Sequence, residues 1–319
     1  MKYFDSLKKK DIKGIIFTDF DGTLFNRKRY ISQNNYDVLQ KARDAGFLTV
    51  IATGRSLYSF RRVAKSLEHP IEDFFDFLIF SSGSGIIRSF EGIRGFEKTI
   101  KPDDIIDSRT LSNTDSSQAA EILFMDGIDF MIHQPVPDNH HFIHIKSNGS
   151  LNPDYYRRIR IYEEFASPLS LSEDDSEIDK IKTICNQGVS QMVAVIPPQE
   201  GKDSDDYYNK LHEYLCQKID NCSVIRTTSP VDHKSLWIEV FPSDVSKSQA
   251  ANRLASKLDV KKENCLAIGN DFNDEDMLEW AGTGRTVDEA HEKLKQRFPS
   301  AGKSEDGAVA VAIEEFINV

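Results

Sequence analysis

Five short apolar runs, near residues 14–19, 48–52, 77–80, 264–268 and 283–287, each end at a polar boundary. Runs of this length, apolar at successive rather than alternate positions and rich in β-branched residues, predict strands covered on both faces, as in a parallel sheet. Stretches near 33–45, 56–68, 246–258, 273–280, 288–296 and 308–317 carry apolar residues at helical spacing and predict helices for the two faces. The expected fold class is α/β, with a doubly wound parallel-sheet core. The first strand and the one ending at Ile268 are expected to be neighbours, which brings the residues after both to one switch point.

Between residues 86 and 241 the pattern changes. Helical stretches near 115–126, 153–164 and 205–218 alternate with strand-like runs at Asp129 to His133, His141 to Lys146, Gln191 to Ile196, Cys222 to Arg226 and Leu236 to Phe241. This predicts an inserted α+β domain at 86–241, a cap, with 1–85 and 242–319 forming the core domain. The polar runs Ser172 to Glu177 and Asp203 to Asp206 are expected to be exposed loops. There is no internal repeat.

At 319 residues the chain is long for one domain and suits two. A net charge of −11 argues against nucleic acid as a partner. The basic clusters Lys8-Lys9-Lys10 and Tyr156-Arg157-Arg158 are short enough to be ordinary solvated charge. No apolar stretch reaches membrane-spanning length, and the N-terminus lacks the apolar region of a signal peptide. Cys185, Cys216, Cys222 and Cys265 lack metal spacing and are expected to be reduced thiols in a cytoplasmic protein. His133, His140, His141 and His144 are expected to line a polar face of a cap strand, since no carboxylate or cysteine joins them at ligand spacing.

Candidate chemistry sits at four element boundaries. The first strand runs into Thr18-Asp19-Phe20-Asp21-Gly22-Thr23, which sets two carboxylates where ligands of open α/β sheets bind. Asp and Gly also form ordinary turns, so this segment gains weight only from the others. The second strand ends in Thr53-Gly54-Arg55-Ser56, a hydroxyl, a glycine, a cation and a possible helix cap. Lys247 opens a helix, where it opposes the helix dipole and asks for another reason to be there. The strand ending at Ile268 leads into Gly269-Asn270-Asp271-Phe272-Asn273-Asp274, a dense set of hard oxygen donors suited to Mg²⁺.

With these four segments in this order, nearly the whole chain resembles the haloacid dehalogenase superfamily, and within it the type-IIB, Cof-like sugar phosphatases. Asp19-Phe20-Asp21-Gly22-Thr23 is similar to the family's first motif, Thr53-Gly54-Arg55 to its second, Lys247 to its third and Gly269 to Asp274 to its fourth. The resemblance implies a catalytic set of Asp19, Asp21, Thr53 and Lys247, with Asp19 the nucleophile and Asp21 the general acid and base. It implies phosphate contacts from Phe20, Thr53, Gly54, Arg55, Lys247 and Asn273. Mg²⁺ would be the cofactor, held by Asp19, Asp21 and a ligand among Asn270, Asp271 and Asp274. Here the chain departs from the family, which usually has aspartate where Asn270 stands, so that either Asn270 or Asp271 supplies the third ligand. Ser81-Ser82-Gly83-Ser84 stands where relatives often have a Ser-Asn-Gly turn.

The chemistry also follows from charge. A phosphate monoester repels its nucleophile, so a site must cancel charge before a carboxylate attacks. Attack by Asp19 would give an aspartyl-phosphate and split one hard displacement into two easier ones. The function expected is a Mg²⁺-dependent phosphatase of a small phosphate ester, most plausibly a sugar phosphate. The alternatives are a phosphotransferase or phosphomutase on the same scaffold, or a non-catalytic binding regulator.

Overall fold

The computed structural model describes residues 12–88, 93, 100–147, 151–170, 176–198, 204–229, 232 and 234–318. The chain forms two compact units, Met1–Ser108 with Ser246–Val319, and Arg109–Val245. The first unit opens with β1 (Gly14–Asp19), β2 (Phe47–Ala52), β3 (Phe77–Phe80), β4 (Gly85–Arg88) and β5 (Ile105–Ser108). The second holds β6 (Asp129–His133), β7 (Phe142–Ile145), β8 (Ala166–Pro168), β9 (Gln191–Ile196), β10 (Cys222–Thr228) and β11 (Leu236–Pro242). The chain then returns to the first unit with β12 (Cys265–Gly269) and β13 (Thr283–Thr286). Helices α1 (Gln33–Asp44) and α2 (Leu57–Ala64) precede α3 (Asn113–Met125), α4 (Pro153–Ile161), α5 (Glu177–Cys185) and α6 (Ser204–Lys218) of the second unit. After them come α7 (Lys247–Lys257), α8 (Glu275–Trp280), α9 (Glu292–Lys295) and α10 (Ala308–Ile317).

The sheet of the first unit has the order β13-β12-β1-β2-β3-β4-β5. Its first five strands are parallel, and β4 and β5 add on antiparallel. As expected, β1 lies beside the strand ending near Ile268, with Thr18 opposite Ile268 and Asp19 opposite Ala52. Alternate positions face opposite ways: Ile15, Phe17, Val50, Ala52, Ile79 and Ala267 share one core with Ala250, Ala251 and Leu254 of α7 and Met277 of α8. Small alanines on α7 let that helix lie close to the strands. On the other face α1 packs on β2, and α10 packs on α1 and β12.

The sheet extends past residue 85, where the sequence pattern sets the domain boundary. Ile86 and Ile87 are fully buried, and β4 pairs back on β3 through a tight turn at Ser81–Gly83, so the chain leaves this unit only after Ser108. The helix expected near 288–296 is reduced to α9, with Asp288 used instead to accept from Ser300 Oγ.

The second unit has a sheet of order β10-β11-β9-β6-β7-β8, antiparallel except for the β7–β8 pair. One face carries Phe130, Ile132, Met192, Ala194, Ile238 and Val240 against α3, α5 and α6. The other carries Met131, Val193, Val195 and Trp237 with Tyr155 of α4. Of these elements α5 and β8 are absent from the sequence expectations. The loop expected at Ser172 to Glu177 falls mostly outside the described residues, and Ser176 caps α5. At Asp203 to Asp206 the described part begins α6 and is not a loop. Lys8-Lys9-Lys10 lies outside the described residues.

Two surface expectations need correction. Arg158 is not solvated: it is buried, its guanidinium 4.4 Å from the Trp237 ring centre and Nη2 3.3 Å from His133 Nε2. His133 is likewise interior, its Nδ1 paired with the Asn139 carbonyl at 2.7 Å. Burial, with the nearby Arg158 cation, pushes its imidazole down to about 3 and keeps it neutral. All four cysteines are free thiols. Among the described residues no helix is long and apolar enough to cross a membrane.

Candidate active site

The first segment leaves β1 in a tight turn. Phe25 N donates to the Phe20 carbonyl at 2.8 Å and Gly22 N to the Phe25 carbonyl at 2.7 Å, with Gly22 at φ +83°, a conformation that favours glycine. The Phe20 ring anchors this turn from inside, stacked on Phe25 at 5.1 Å and edge-on to Phe60. Asp19 is buried at the strand end, whereas the Asp21 side chain is 44% exposed.

Lys247 explains its place at the start of α7. Its side chain is buried, and Nζ donates to Asp19 Oδ1 at 2.7 Å and to Asp274 Oδ1 at 2.5 Å. Two carboxylates therefore outweigh the unfavourable helix dipole. Burial, together with the charge on Asp274, pushes the Asp19 carboxyl up to about 7, with Lys247 opposing that rise. Burial alone would lower the Lys247 value, but the two carboxylates outweigh it and hold the ammonium above its usual range.

The fourth segment folds onto Asp274. Its Oδ2 accepts from Asn270 N at 2.9 Å and Asp271 N at 3.1 Å, so both carboxylate oxygens are engaged. A Cβ on Gly269 would lie 2.5 Å from the Asp274 Cβ, which makes glycine necessary for this fold-back. Asp271 points its carboxylate at the next turn, accepting from Phe272 N at 2.8 Å in a capping box with Asp274. Asn270 reaches the first segment. With the amide nitrogen turned towards its acceptors, Nδ2 lies 3.1 Å from Asp19 Oδ2, 3.1 Å from Thr23 Oγ1 and 3.2 Å from the Asp21 carbonyl.

The second segment supplies the rim. The Thr53 hydroxyl accepts from Arg55 N at 3.1 Å, and Ser56 caps α2 by accepting from Ser59 N. Arg55 grips Asp21 with two 2.7 Å bonds, Nε to Oδ2 and Nη2 to Oδ1. Exposed Gly54 presents its backbone beside two polar groups: a Cβ there would be 3.5 Å from Ser82 Oγ and 4.0 Å from Asn273 Nδ2.

Asp19, Lys247, Asp274, Asn270 and Thr23 thus form one connected network, and Asp21 with Arg55 forms a second at its edge. Among the described residues no three His, Cys, Asp or Glu side chains gather as a metal group. The oxygens that do gather, around Asn270, are a carboxylate, a carbonyl and a hydroxyl, a hard donor set that fits Mg²⁺. Two neighbours escape the sequence expectations in role. Thr23 serves as a partner of Asn270, and Ser82 comes to Gly54 because β3 lies beside β2.

The sequence profile of the haloacid dehalogenase-like hydrolases matches residues 16–313. The chain belongs to that family. Among curated relatives, this haloacid dehalogenase-like hydrolase is 25% identical over 95% of its length to the 5-amino-6-(5-phospho-D-ribitylamino)uracil phosphatase YwtE of Bacillus subtilis, of which it covers 98%. In fold it is similar to a superfamily phosphatase from Bacteroides thetaiotaomicron, with a TM-score of 0.68 and 18% identity over 97% of this chain and 96% of that one. It is also similar to a structure described as a subclass IIB sugar phosphatase, with a TM-score of 0.64 and 16% identity over 96% of this chain and 100% of that one. The matched span of this hydrolase contains all four polar segments, Asn270 included.

Proposed function

We propose that this hydrolase is a Mg²⁺-dependent phosphatase of a small phosphorylated metabolite, a sugar or sugar-alcohol phosphate, working through an aspartyl-phosphate on Asp19. The observation that carries the proposal is the buried Lys247 bridging Asp19 and Asp274 across three distant parts of the chain. The phosphorylated ribityl chain named for the Bacillus subtilis relative supports the substrate class.

In this proposal Lys247 neutralises Asp19 and draws a phosphoryl oxygen to the same ammonium. Thr53, the backbone N–H groups of Phe20 and Gly54, and Asn273 hold the remaining phosphoryl oxygens. An Asp19 oxygen attacks phosphorus, the bond to the ester oxygen breaks, and Asp21 gives its proton to the departing alkoxide. The incoming phosphate competes for the Arg55 fork and frees the Asp21 carboxyl for that role. Asp21 then takes a proton from the water that opens the aspartyl-phosphate, releasing inorganic phosphate. Mg²⁺ would be held by the Asp19 carboxylate, the Asp21 carbonyl and the Asn270 amide oxygen, and when bound supplies charge neutralisation. Asp274 is assigned a different duty, that of orienting Lys247. Substrate selection is assigned to the inserted unit.

The test is a screen of phosphorylated sugars, nucleotides and cofactors with and without Mg²⁺, run beside Asp19→Asn. Phosphate release that needs Mg²⁺ and vanishes in the variant is expected. Undiminished release by purified Asp19→Asn protein would overturn the nucleophile. Incorporation of ¹⁸O from water into phosphate separates hydrolysis from transfer to another hydroxyl.

A further inference from the structure

Three residues in succession, Ser81, Ser82 and Gly83, adopt left-handed φ values of +49°, +53° and +106° in the turn between β3 and β4. Glycine takes that conformation freely, but serine does so only at a cost in backbone strain, so two of the three must be held from outside. The holding bonds lead to the second chemical segment: Ser81 N donates to the Arg55 carbonyl at 2.8 Å and Ser82 N to the Thr53 carbonyl at 3.1 Å. Arg253 of α7 adds a further hold. Its Nη2 donates to the Gly83 carbonyl at 2.9 Å and its Nε to Asp107 Oδ2 of β5 at 2.8 Å, and both side chains are largely shielded from solvent. Gly83 is also pressed against the residue before Lys247: a Cβ there would lie 2.3 Å from the Ser246 carbonyl oxygen.

We propose that Arg253 is a positioning residue for phosphoryl transfer, locking the strained Ser81–Gly83 turn so that the turn sets the direction of the Gly54 N–H. The inference rests on the phosphatase reading of this site. In a trans peptide the C=O and N–H point opposite ways, so the Ser82 bond to the Thr53 carbonyl fixes the plane of the Thr53–Gly54 peptide, and with it the donor of Gly54. Gly54 has no side chain to brace that plane itself. A donor already aimed when charge builds on the phosphoryl oxygens stabilises the transition state without reorganisation. Without the Arg253 fork the turn relaxes towards unstrained φ values, and the Gly54 plane is free to rock. Phosphate binding still has Lys247 and Arg55, so the loss falls on kcat more than on KM.

Steady-state kinetics and urea unfolding of the full chain, compared with Arg253→Met and Asp107→Asn, test this. Arg253→Met removes the Gly83 bond, whereas Asp107→Asn weakens the same shielded ion pair and leaves that bond in place. Arg253→Met is expected to lower kcat about tenfold with KM changed less than threefold; Asp107→Asn is expected to unfold at lower urea yet keep kcat within about twofold. In the substrate-free protein the ¹⁵N–¹H resonance of Gly54, assigned by selective labelling, should move in Arg253→Met and stay in Asp107→Asn. Arg253→Lys guards against misfolding of the methionine variant: it keeps the charge opposite Asp107, but one ammonium cannot span both acceptors, so a smaller fall in kcat and a smaller Gly54 shift are expected. A fall in kcat that tracks lost stability equally in the Arg253 and Asp107 variants, or a Gly54 resonance unmoved by the Arg253 substitutions, would overturn the inference while leaving the phosphatase intact. Absence of phosphate release from every ester by the wild-type protein would instead sink the phosphatase reading and the positioning role with it.

Discussion

Asp19→Asn is expected to destroy turnover and yet make the metal-free protein more stable. The Asp19 carboxyl is buried, close to Asp274, and pushed up from 3.8 to about 7. A carboxyl raised in the folded state contributes stability that is fully present below about 3.8 and lost as pH rises through about 7. At 1.36 kcal/mol per pH unit, the raised carboxyl costs the fold about 4 kcal/mol at pH 8, where Asp19 is ionised, and about 1 kcal/mol at pH 4.5, where it is held neutral while the unfolded chain ionises. Asparagine has nearly the same shape and can still accept from Lys247 at the 2.7 Å contact, but never ionises. The Asn270 amide would turn to meet it.

The assay is urea unfolding in EDTA at both pH values. The variant's advantage should grow by about 3 kcal/mol from pH 4.5 to pH 8, and shrink at pH 8 when Mg²⁺ is added to both proteins. A variant equally or less stable at pH 8 would show that Lys247 fully compensates the carboxylate and would refute the reasoning.

Lys247→Ala removes the cation between two buried carboxylates, and should lower unfolding free energy by about 3–5 kcal/mol at neutral pH along with activity; adding Asp19→Asn should restore part of the stability in the same urea experiment. Arg55→Gln breaks a partly exposed pair, so stability should change by less than about 1 kcal/mol. Steady-state kinetics should nevertheless show KM for the phosphate ester raised about tenfold, and an unchanged KM would count against the phosphate role. Gly269→Ala places a methyl 2.5 Å from the Asp274 Cβ. An ångström-scale displacement of Lys247 and Asn270 should cut kcat/KM about a hundredfold, read by the same kinetics with far-ultraviolet circular dichroism to confirm folding.

Much of the fold was legible because the apolar runs are unambiguous. Ile15, Ile16 and Phe17 are apolar in succession and buried on both faces, so a parallel central strand was the reading available, and β1 lies between β2 and β12. Elements without such a signal escaped. Ala166–Pro168 is a three-residue edge strand with exposed positions, and Gly85–Arg88 resembles the start of an insert until Ile86 and Ile87 are found in the core. His133 misled for a related reason. It was expected on a polar face of a cap strand, whereas it is buried, paired with a backbone carbonyl and next to Arg158.

The hydrophobic pattern by itself determined the parallel core strands and the polar exits at which the four chemical segments sit, because short-range periodicity records which faces must be buried. It did not determine which atoms of those segments meet. That Lys247 joins Asp19 to Asp274, that Arg55 holds Asp21 and that Asn270 faces three oxygens was decided by tertiary structure. Those contacts are set by β1 lying between β2 and β12, and by Gly269 letting Asp274 fold back over the strand end, relations between residues up to hundreds of positions apart that local pattern does not encode.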